Sequence, residues 1–350
     1  MGQDRINVAV VGATGAVGEE FLKLLVERNF PYKTLKLLAS ARSVGKRLRV
    51  GNEELEVEEL RPESFAGVEL AFFSAGASVS REFAPRAVAA GAVVVDNSSA
   101  FRMDEGVPLV VPEVNPEDLR WHKSIIANPN CSTIILALPL YALHREVGVR
   151  RVVVSTYQAV SGAGARAMQE LQDQLRQALR GEPVTPGILP VASAPRHYPI
   201  AFNVIPQVDV FAEDGFTKEE WKMVRETCKI FHAPELKVAA TTVRVPVLRS
   251  HAESVQVELE RPVTVDEARD IMGRMPGVVV WDHPEEQVYP MPYQTSGTDP
   301  VYVGRVRRDP TVAAGLLFWV VGDQIRKGAA LNGIQIAELL LQQGLLTPAS

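Results

Sequence analysis

The chain has 350 residues, of which 46% are hydrophobic and 23% charged, with a formal net charge of −5 and a mean hydropathy of +0.02. That size and composition suit two globular domains and exclude a disordered polymer, and the absence of a basic stripe argues against nucleic-acid binding. The longest apolar stretches, 133–143 and 312–321, fall short of the ~20 residues of a membrane span, and two cysteines, Cys131 and Cys228, cannot build a disulfide framework or a cysteine zinc site.

The opening Met1-Gly-Gln-Asp-Arg lacks the pattern of a signal peptide, so a cytoplasmic location is expected. Residues 6–11 form an unbroken apolar run ended by glycine, the pattern of a buried parallel strand, and 15–28 read as the helix it feeds. Strand patterns recur at 35–39, 68–73 and 92–95, with a helix at 79–90, and this alternation predicts a doubly wound sheet. A strand at 124–127 then leads into an apolar helix, 134–144.

Beyond Cys131 the texture changes to an α+β pattern, with strands at 151–159, 236–245, 252–260 and 301–307 and helices at 164–179 and 217–231. Trp221, Val224, Cys228 and Phe231 fall at core-facing spacing, which puts Cys228 in a core. Residues 182–198, rich in proline and small residues, read as a long loop. A last helix, 323–343, is expected to return to the first domain. The predicted organisation is therefore a Rossmann-type α/β dinucleotide-binding domain, 1–130 with 323–350, plus a second α+β catalytic and dimerisation domain, 131–322.

Gly12-Ala-Thr14-Gly15-Ala16-Val17-Gly18 lies between a predicted strand and helix, where a dinucleotide's pyrophosphate meets bare backbone and a helix N-terminus. Gly12 permits the tight turn and Gly15 the close approach. The spacing, G-x-x-G-x-x-G, departs from G-x-G-x-x-G. At the end of the second strand no acid is available for ribose hydroxyls, whereas Arg42 with the hydroxyls of Ser40 and Ser43 suits a 2′-phosphate, so NADP is the expected cofactor.

Asn128-Pro-Asn130-Cys131-Ser-Thr follows a strand and opens a helix. A thiol in a helix's first turn gains thiolate character from the dipole, and the neighbouring amides with the Asn130 side chain can stabilise an oxyanion. Cys131 is thus a candidate nucleophile.

Four segments in order, GATGAVG, NPNCST, QAVSGAG and RVPVLRSH, resemble the bacterial aspartate-semialdehyde dehydrogenase family over nearly the whole chain. The resemblance implies NADPH-dependent reductive dephosphorylation of L-aspartyl 4-phosphate to aspartate 4-semialdehyde, through a thioester on Cys131, on the route to lysine, methionine and threonine. It gives His251 an acid/base role, Gln158 an orienting role, and Arg244 the grip on the substrate carboxylate. Glu219 and Lys222 match a pair binding the amino group and phosphate, Arg102 matches a second phosphate ligand, and Ser161 and Gly162 match cofactor contacts. Gln324 stands where the family often has a cofactor-contacting asparagine. A homodimer and no metal are also implied.

Arg244 and His251 are seven residues apart and would face opposite sides of one regular strand, so a turn containing Pro246 is predicted between them. N-acetyl-glutamyl-phosphate reductase is the nearest alternative, but it usually surrounds its cysteine with His-Pro-Gly-Cys-Tyr. Glyceraldehyde-phosphate dehydrogenase differs at the cysteine and the ribose acid. A non-catalytic NADP sensor would not need Cys131, Gln158, Arg244 and His251 together.

Overall fold

The computed structural model describes residues 5–346, so the reading of Met1 to Asp4 lies outside the described residues. The chain divides into two compact units: the first ends at Asn130 and resumes at Ala329, and the second is Cys131–Gly328. The sequence reading set the return at Asp323. Asp323 instead stays with the second unit, where its buried carboxylate accepts hydrogen bonds from Arg249 Nε and the Gly297 amide, both at 2.6 Å.

The first unit is built on β1 (Ile6–Val11), β2 (Tyr32–Ala39), β3 (Arg47–Val50), β4 (Glu53–Glu59), β5 (Leu70–Phe73), β6 (Val93–Asp96) and β7 (Ile125–Ala127), ordered β3-β4-β2-β1-β5-β6-β7. All neighbours are parallel except the β3–β4 hairpin. β1 lies at the centre, where the strand order reverses, with Val10 opposite Leu37 on one side and Phe72 on the other. Strands β1 and β5 are buried on both faces, which is why they read as apolar runs.

Helix α1 (Ala16–Glu27) and the C-terminal helix Leu331–Gln343 cover one face, burying Phe21, Leu24 and Leu25 with Ile334, Ala337 and Leu340. Phe21 stacks on Phe72 at 4.8 Å between centroids. Each such aromatic or aliphatic side chain contributes roughly 1.5–3 kcal/mol on burial. Helix α2 (Ala77–Ala89) covers the other face through Ala84 and Ala87 against Val11, Phe73 and Val94. The β3–β4 hairpin escaped the sequence reading. Its residues are mostly charged and exposed, so no hydrophobic period marks it.

The second unit contains α3 (Cys131–Val147), β8 (Val149–Gln158), α4 (Ala165–Leu179), α5 (Lys218–Ile230), β9 (Lys237–Arg244), β10 (His251–Leu259), α6 (Val265–Gly273), β11 (Val278–Val280), α7 (Pro292–Thr295), β12 (Val301–Arg308) and β13 (Gly315–Gly322). Its sheet runs β11-β12-β13-β10-β8-β9. β8 pairs parallel with β9 and antiparallel with β10, so the 245–250 connection carries the chain past β8. This is the interruption expected between Arg244 and His251, and Ser250 adopts a φ of 73° within it.

α3, α5 and α6 pack on one face of this sheet. The face of α5 differs from the predicted one: Glu219, Glu220, Met223, Glu226, Thr227 and Ile230 are buried, while of the four expected residues Phe231 is buried and Trp221, Val224 and Cys228 are only half-buried. Glu219 and Glu220 claim the buried side because they bond elsewhere in the unit. Glu220 reciprocates a capping box with Thr217 and accepts the Thr242 amide of β9 at 2.9 Å. Cys228 donates to the Leu236 carbonyl at 3.4 Å, and burial pushes its thiol up, which suits an inert structural residue.

Candidate active site

The first unit's loop after β1 shows what each glycine does. Gly12 has a φ of +83°, and a Cβ there would lie 2.7 Å from the Ser74 carbonyl oxygen. A Cβ on Gly18 would lie 2.1 Å from the Gly12 carbonyl oxygen. Both are therefore dictated by packing within the unit. Gly15 is exposed, caps α1, and would meet nothing closer than 3.4 Å, so packing within the unit does not dictate it. Thr14, Ala16 and Val17, all half-buried, form the rim around that helix start, whose first amides have no intrahelical acceptor.

Beside it, β2 ends in a short helical turn, Ala41–Ser43, capped by Ser40. Ser43 is buried with its hydroxyl 3.3 Å from that of Thr14. Arg42 is exposed and makes no side-chain hydrogen bond or ion pair among the described residues. An open glycine, a helix N-terminus, a hydroxyl pair and an uncommitted guanidinium fit a phosphorylated dinucleotide. Arg102 is buried in the same unit and donates through Nε to the Asn128 carbonyl and through Nη2 to the Asn97 carbonyl, both at 2.9 Å. Asn130, also buried, is this unit's last residue before the return.

In the second unit Cys131 is the first residue of the 17-residue helix α3, at the dipole's positive end. Two glycines let α3 lie there. A Cβ on Gly328 would come 3.1 Å from Cys131 Cβ, and one on Gly322 would come 2.9 Å from Ile135 Cγ1, one turn on. Cys131 itself remains half-buried.

The sheet beneath carries the other candidates in one row. Arg244 of β9 pairs with Gln158 of β8, and His251 of β10 pairs with Gly322 of β13. Gln158 and His251 lie one residue beyond the paired Tyr157 and Ala252, so Arg244, Gln158 and His251 share a face on adjacent strands. All three are almost wholly buried. Gln158 Nε2 donates to the Ser132 hydroxyl at 2.9 Å and to Glu219 Oε1 at 3.3 Å. Glu219 Oε2 meets Lys222 Nζ at 3.0 Å, and Lys222 also pairs with Asp209 at 2.9 Å. An ordinary surface ion pair is thereby excluded for Glu219, which is 5% exposed.

Arg244 Nη1 donates to the Ala159 carbonyl at 2.7 Å, and no other bond of its guanidinium occurs among the described residues. Its Nε/Nη2 edge is left for a bidentate acceptor. Burial lowers its pKa, opposed by the charges of Glu219, Cys131 and Asp209. The Ala159 amide donates to His251 Nδ1 at 3.0 Å. Burial, with Arg244 nearby, pushes His251 down to about 3, so its ring is neutral at pH 7.

Over this row lies the turn Val160–Ala163, bonded to the 245–250 connection through Val160 N to Val247 O at 2.9 Å. A Cβ on Gly162 would lie 2.8 Å from Arg244 Nη1 and 3.2 Å from His251 Nε2. Ser161 is buried and bonded to Gln324 Nε2, while Gln324 Oε1 accepts the Ser250 amide at 2.8 Å. Gln324 is therefore a brace between the Ser161 turn and the residue before His251. Ser132, Asp209, Ala159 and Asp323 were missed by sequence reasoning. Their contributions are backbone bonds and long-range contacts with no local motif.

Residues 7–122 match the family described as semialdehyde dehydrogenase, NAD binding domain, and 140–327 the semialdehyde dehydrogenase, dimerisation domain. An aspartate-semialdehyde dehydrogenase of Bacillus subtilis is 52% identical over 342 residues, covering 97% of this chain and 99% of the relative. The chain belongs to the aspartate-semialdehyde dehydrogenase family. Another family member, from Aquifex aeolicus, is 52% identical over 343 residues, with coverage of 97% and 99%. The crystal structure of aspartate semialdehyde dehydrogenase II from Vibrio cholerae, complexed with ASA, superposes with a TM-score of 0.92 at 44% identity over 97% of this chain and 99% of that one. A Candida albicans aspartate semialdehyde dehydrogenase with NADP gives 0.74 at 26% identity, covering 98% and 100%. Family membership makes the chain an oxidoreductase with a Rossmann-like nicotinamide-dinucleotide-binding domain.

Proposed function

We propose that this chain reduces L-aspartyl 4-phosphate to L-aspartate 4-semialdehyde and phosphate with NADPH, through a thioester on Cys131. The carrying observation is the helix-start cysteine in the same unit as the buried row Arg244, Gln158 and His251. The Cys131 thiolate attacks the acyl carbon; the carbon–sulfur bond forms, the carbon–oxygen bond to phosphate breaks, and phosphate leaves. Gly12, Thr14, Gly15, Ala16, Val17, Ser40, Arg42, Ser43, Ser161 and Gly162 would hold the dinucleotide, whose chemistry when bound would be hydride supply to the thioester carbon. Collapse then releases the aldehyde and returns the Cys131 thiolate.

Arg244 grips the α-carboxylate through its open edge, Gln158 orients the acyl group, and Asn130 assists at the oxyanion. Glu219 receives the amino group, with Lys222 and Arg102 serving the phosphate. Gln324 acts through Ser161. The absence of an acid at the end of β2, together with the uncommitted Arg42, supports NADP over NAD. The reaction serves lysine, methionine, threonine and diaminopimelate biosynthesis in the cytoplasm. Among the described residues no helix is long and apolar enough to cross a membrane.

A homodimer is part of the proposal. The sheet face opposite α3 carries Tyr157, Trp319 and Tyr302 partly exposed, with the Tyr157 and Trp319 rings 5.3 Å apart, an apolar surface suited to a second copy. The deciding assay runs the reaction backward: purified protein with aspartate semialdehyde, NADP and phosphate should form NADPH. Formation must vanish without phosphate and in Cys131→Ala. Phosphate-independent turnover, or silence with intact cofactor binding, rejects the proposal.

A further inference from the structure

On the reading just given, we infer that Asn128 and Asn332 are positioning residues for phosphate: through Asn97 they fix the two carbonyls that aim the Arg102 guanidinium, so the C-terminal helix builds part of the phosphate site. All the groups concerned lie in the first unit. Asn128 and Asn332 are wholly buried, and neither touches substrate in the proposed reaction.

Strands β6 and β7 run parallel, and their ladder ends where Asp96 pairs with Ala127. The Asn128 amide still donates to the Asp96 carbonyl at 2.8 Å, and beyond that point side chains take over. Asn128 Nδ2 donates to Asn97 Oδ1 at 2.7 Å and to the Ala329 carbonyl at 3.1 Å. Asn332 Nδ2 donates to Asn128 Oδ1 at 2.7 Å and to the Val110 carbonyl at 2.9 Å. Backbone carbonyls only accept, so Val110 and Ala329 fix which end of each amide is nitrogen, and the chain runs one way, from Asn332 through Asn128 to Asn97. Asn97 is held from its other side as well, because the Asp96 carboxylate accepts the Ser98 amide at 3.1 Å and the Ser98 hydroxyl at 2.8 Å.

The product of this chain is direction. The Asn97 and Asn128 carbonyls accept from Arg102 Nη2 and Nε, both at 2.9 Å. Two acceptors on one edge of a planar guanidinium fix its plane and the way its remaining N–H groups point. Each of those carbonyls belongs to a residue whose side chain is in the amide chain. Burying Asn128 and Asn332 costs desolvation that apolar side chains of like size would avoid, whereas a satisfied polar network selects one arrangement. Packing alone does not need that selection; a cation aimed at a tetrahedral anion does.

Spectra of the intact protein labelled with 15N in arginine test the aim without the reaction, with the Arg102 Nε–H signal assigned by its loss in Arg102→Lys. In the wild type that hydrogen should exchange slowly with solvent. Asn128→Ala should speed its exchange by about tenfold or more, while the Arg249 Nε–H, bound to Asp323 in the second unit, is unchanged. In the backward assay Asn128→Ala should raise KM for phosphate about tenfold and leave KM for NADP and for the semialdehyde within about twofold. In an Arg102→Lys background the same substitution should add nothing, because it acts through the arginine. Should Asn128→Ala fail to fold, Asn332→Leu keeps Asn128 and should show the same pattern at about threefold. Unchanged Arg102 exchange, KM values that rise together, or losses that add in the double variant would each overturn the inference. Turnover independent of phosphate with a loosened Arg102 rejects the proposed reaction alone, whereas phosphate-dependent turnover with Arg102 unmoved rejects this inference alone.

Discussion

On the proposed function, the two units prepare for their ligands by opposite means. The first offers backbone, a bare glycine and a helix N-terminus, with two hydroxyls, of which Ser43's is on a buried residue, and an arginine, Arg42, that stays exposed. The second buries its ionisable side chains, holding Arg244, Glu219, His251 and Glu253 almost wholly away from solvent. Buried charges interact far more strongly but cost desolvation on folding. A group that must enter and leave each cycle suits the first arrangement. A carbon that must be held while bonds form and break suits the second.

The sharpest way to separate the two is Cys131→Ser, which should lower turnover by about 10³-fold or more, roughly 4 kcal/mol of barrier, while dinucleotide affinity by fluorescence titration is unchanged. If both fall together, the units are not independent in this sense. Arg244→Lys keeps the charge but loses the fork and the fit to Ala159 O, so KM for the semialdehyde should rise by about 10–100-fold. An unchanged KM would move the carboxylate site elsewhere.

On the exposed side the effect is smaller. Arg42→Ala should weaken NADP by about tenfold, one charge-assisted hydrogen bond, and leave NAD unchanged. Isothermal titration with both nucleotides checks it, and equal losses would remove the 2′-phosphate contact. The smallest effect concerns stability. Glu253 pairs with Thr156 and Val320 in the row behind the catalytic one, neither of its carboxyl oxygens has a hydrogen-bond partner among the described residues, and burial raises its pKa well above the ordinary 4.5.

The folded chain therefore keeps a proton that the unfolded chain releases above about pH 4.5, so folding stability falls as pH rises through that window. Glu253→Gln should remove this slope. It should melt above wild type at pH 8 and level with it near pH 4, by ~2–4 °C for each 1 kcal/mol gained. A variant melting below wild type at pH 8 would mean that Glu253 is ionised and paired.

The first unit's central strands were legible because burial on both faces leaves an unmixed apolar run, and β1 was read with both of its observed ends. The β3–β4 hairpin was not, since its solvated strands carry charge where a pattern would need carbon. In the second unit, Arg244 and His251 were legible as residues and the turn between them was foreseen. That they flank Gln158 across three strands was not legible, because register is a long-range property. The face of α5 was misread for the same reason: its buried carboxylates look solvated until Thr242 and Gln158 are brought alongside.

On the proposed function, the row Arg244, Gln158 and His251 has a consequence for chain length in the substrate. Adjacent strands are about 4.8 Å apart, so two steps, roughly 10 Å, separate the backbone origins of Arg244 and His251. Hydrogen bonds along β9, β8 and β10 fix that span, which on the proposed function is a rigid gauge between the carboxylate grip and the reacting carbonyl. A loop-borne pair could stretch for a homologue one methylene longer. Here accommodation has to come from side-chain length, so a change of substrate length in this family would be written at positions 244 and 251 and not in the strands that carry them.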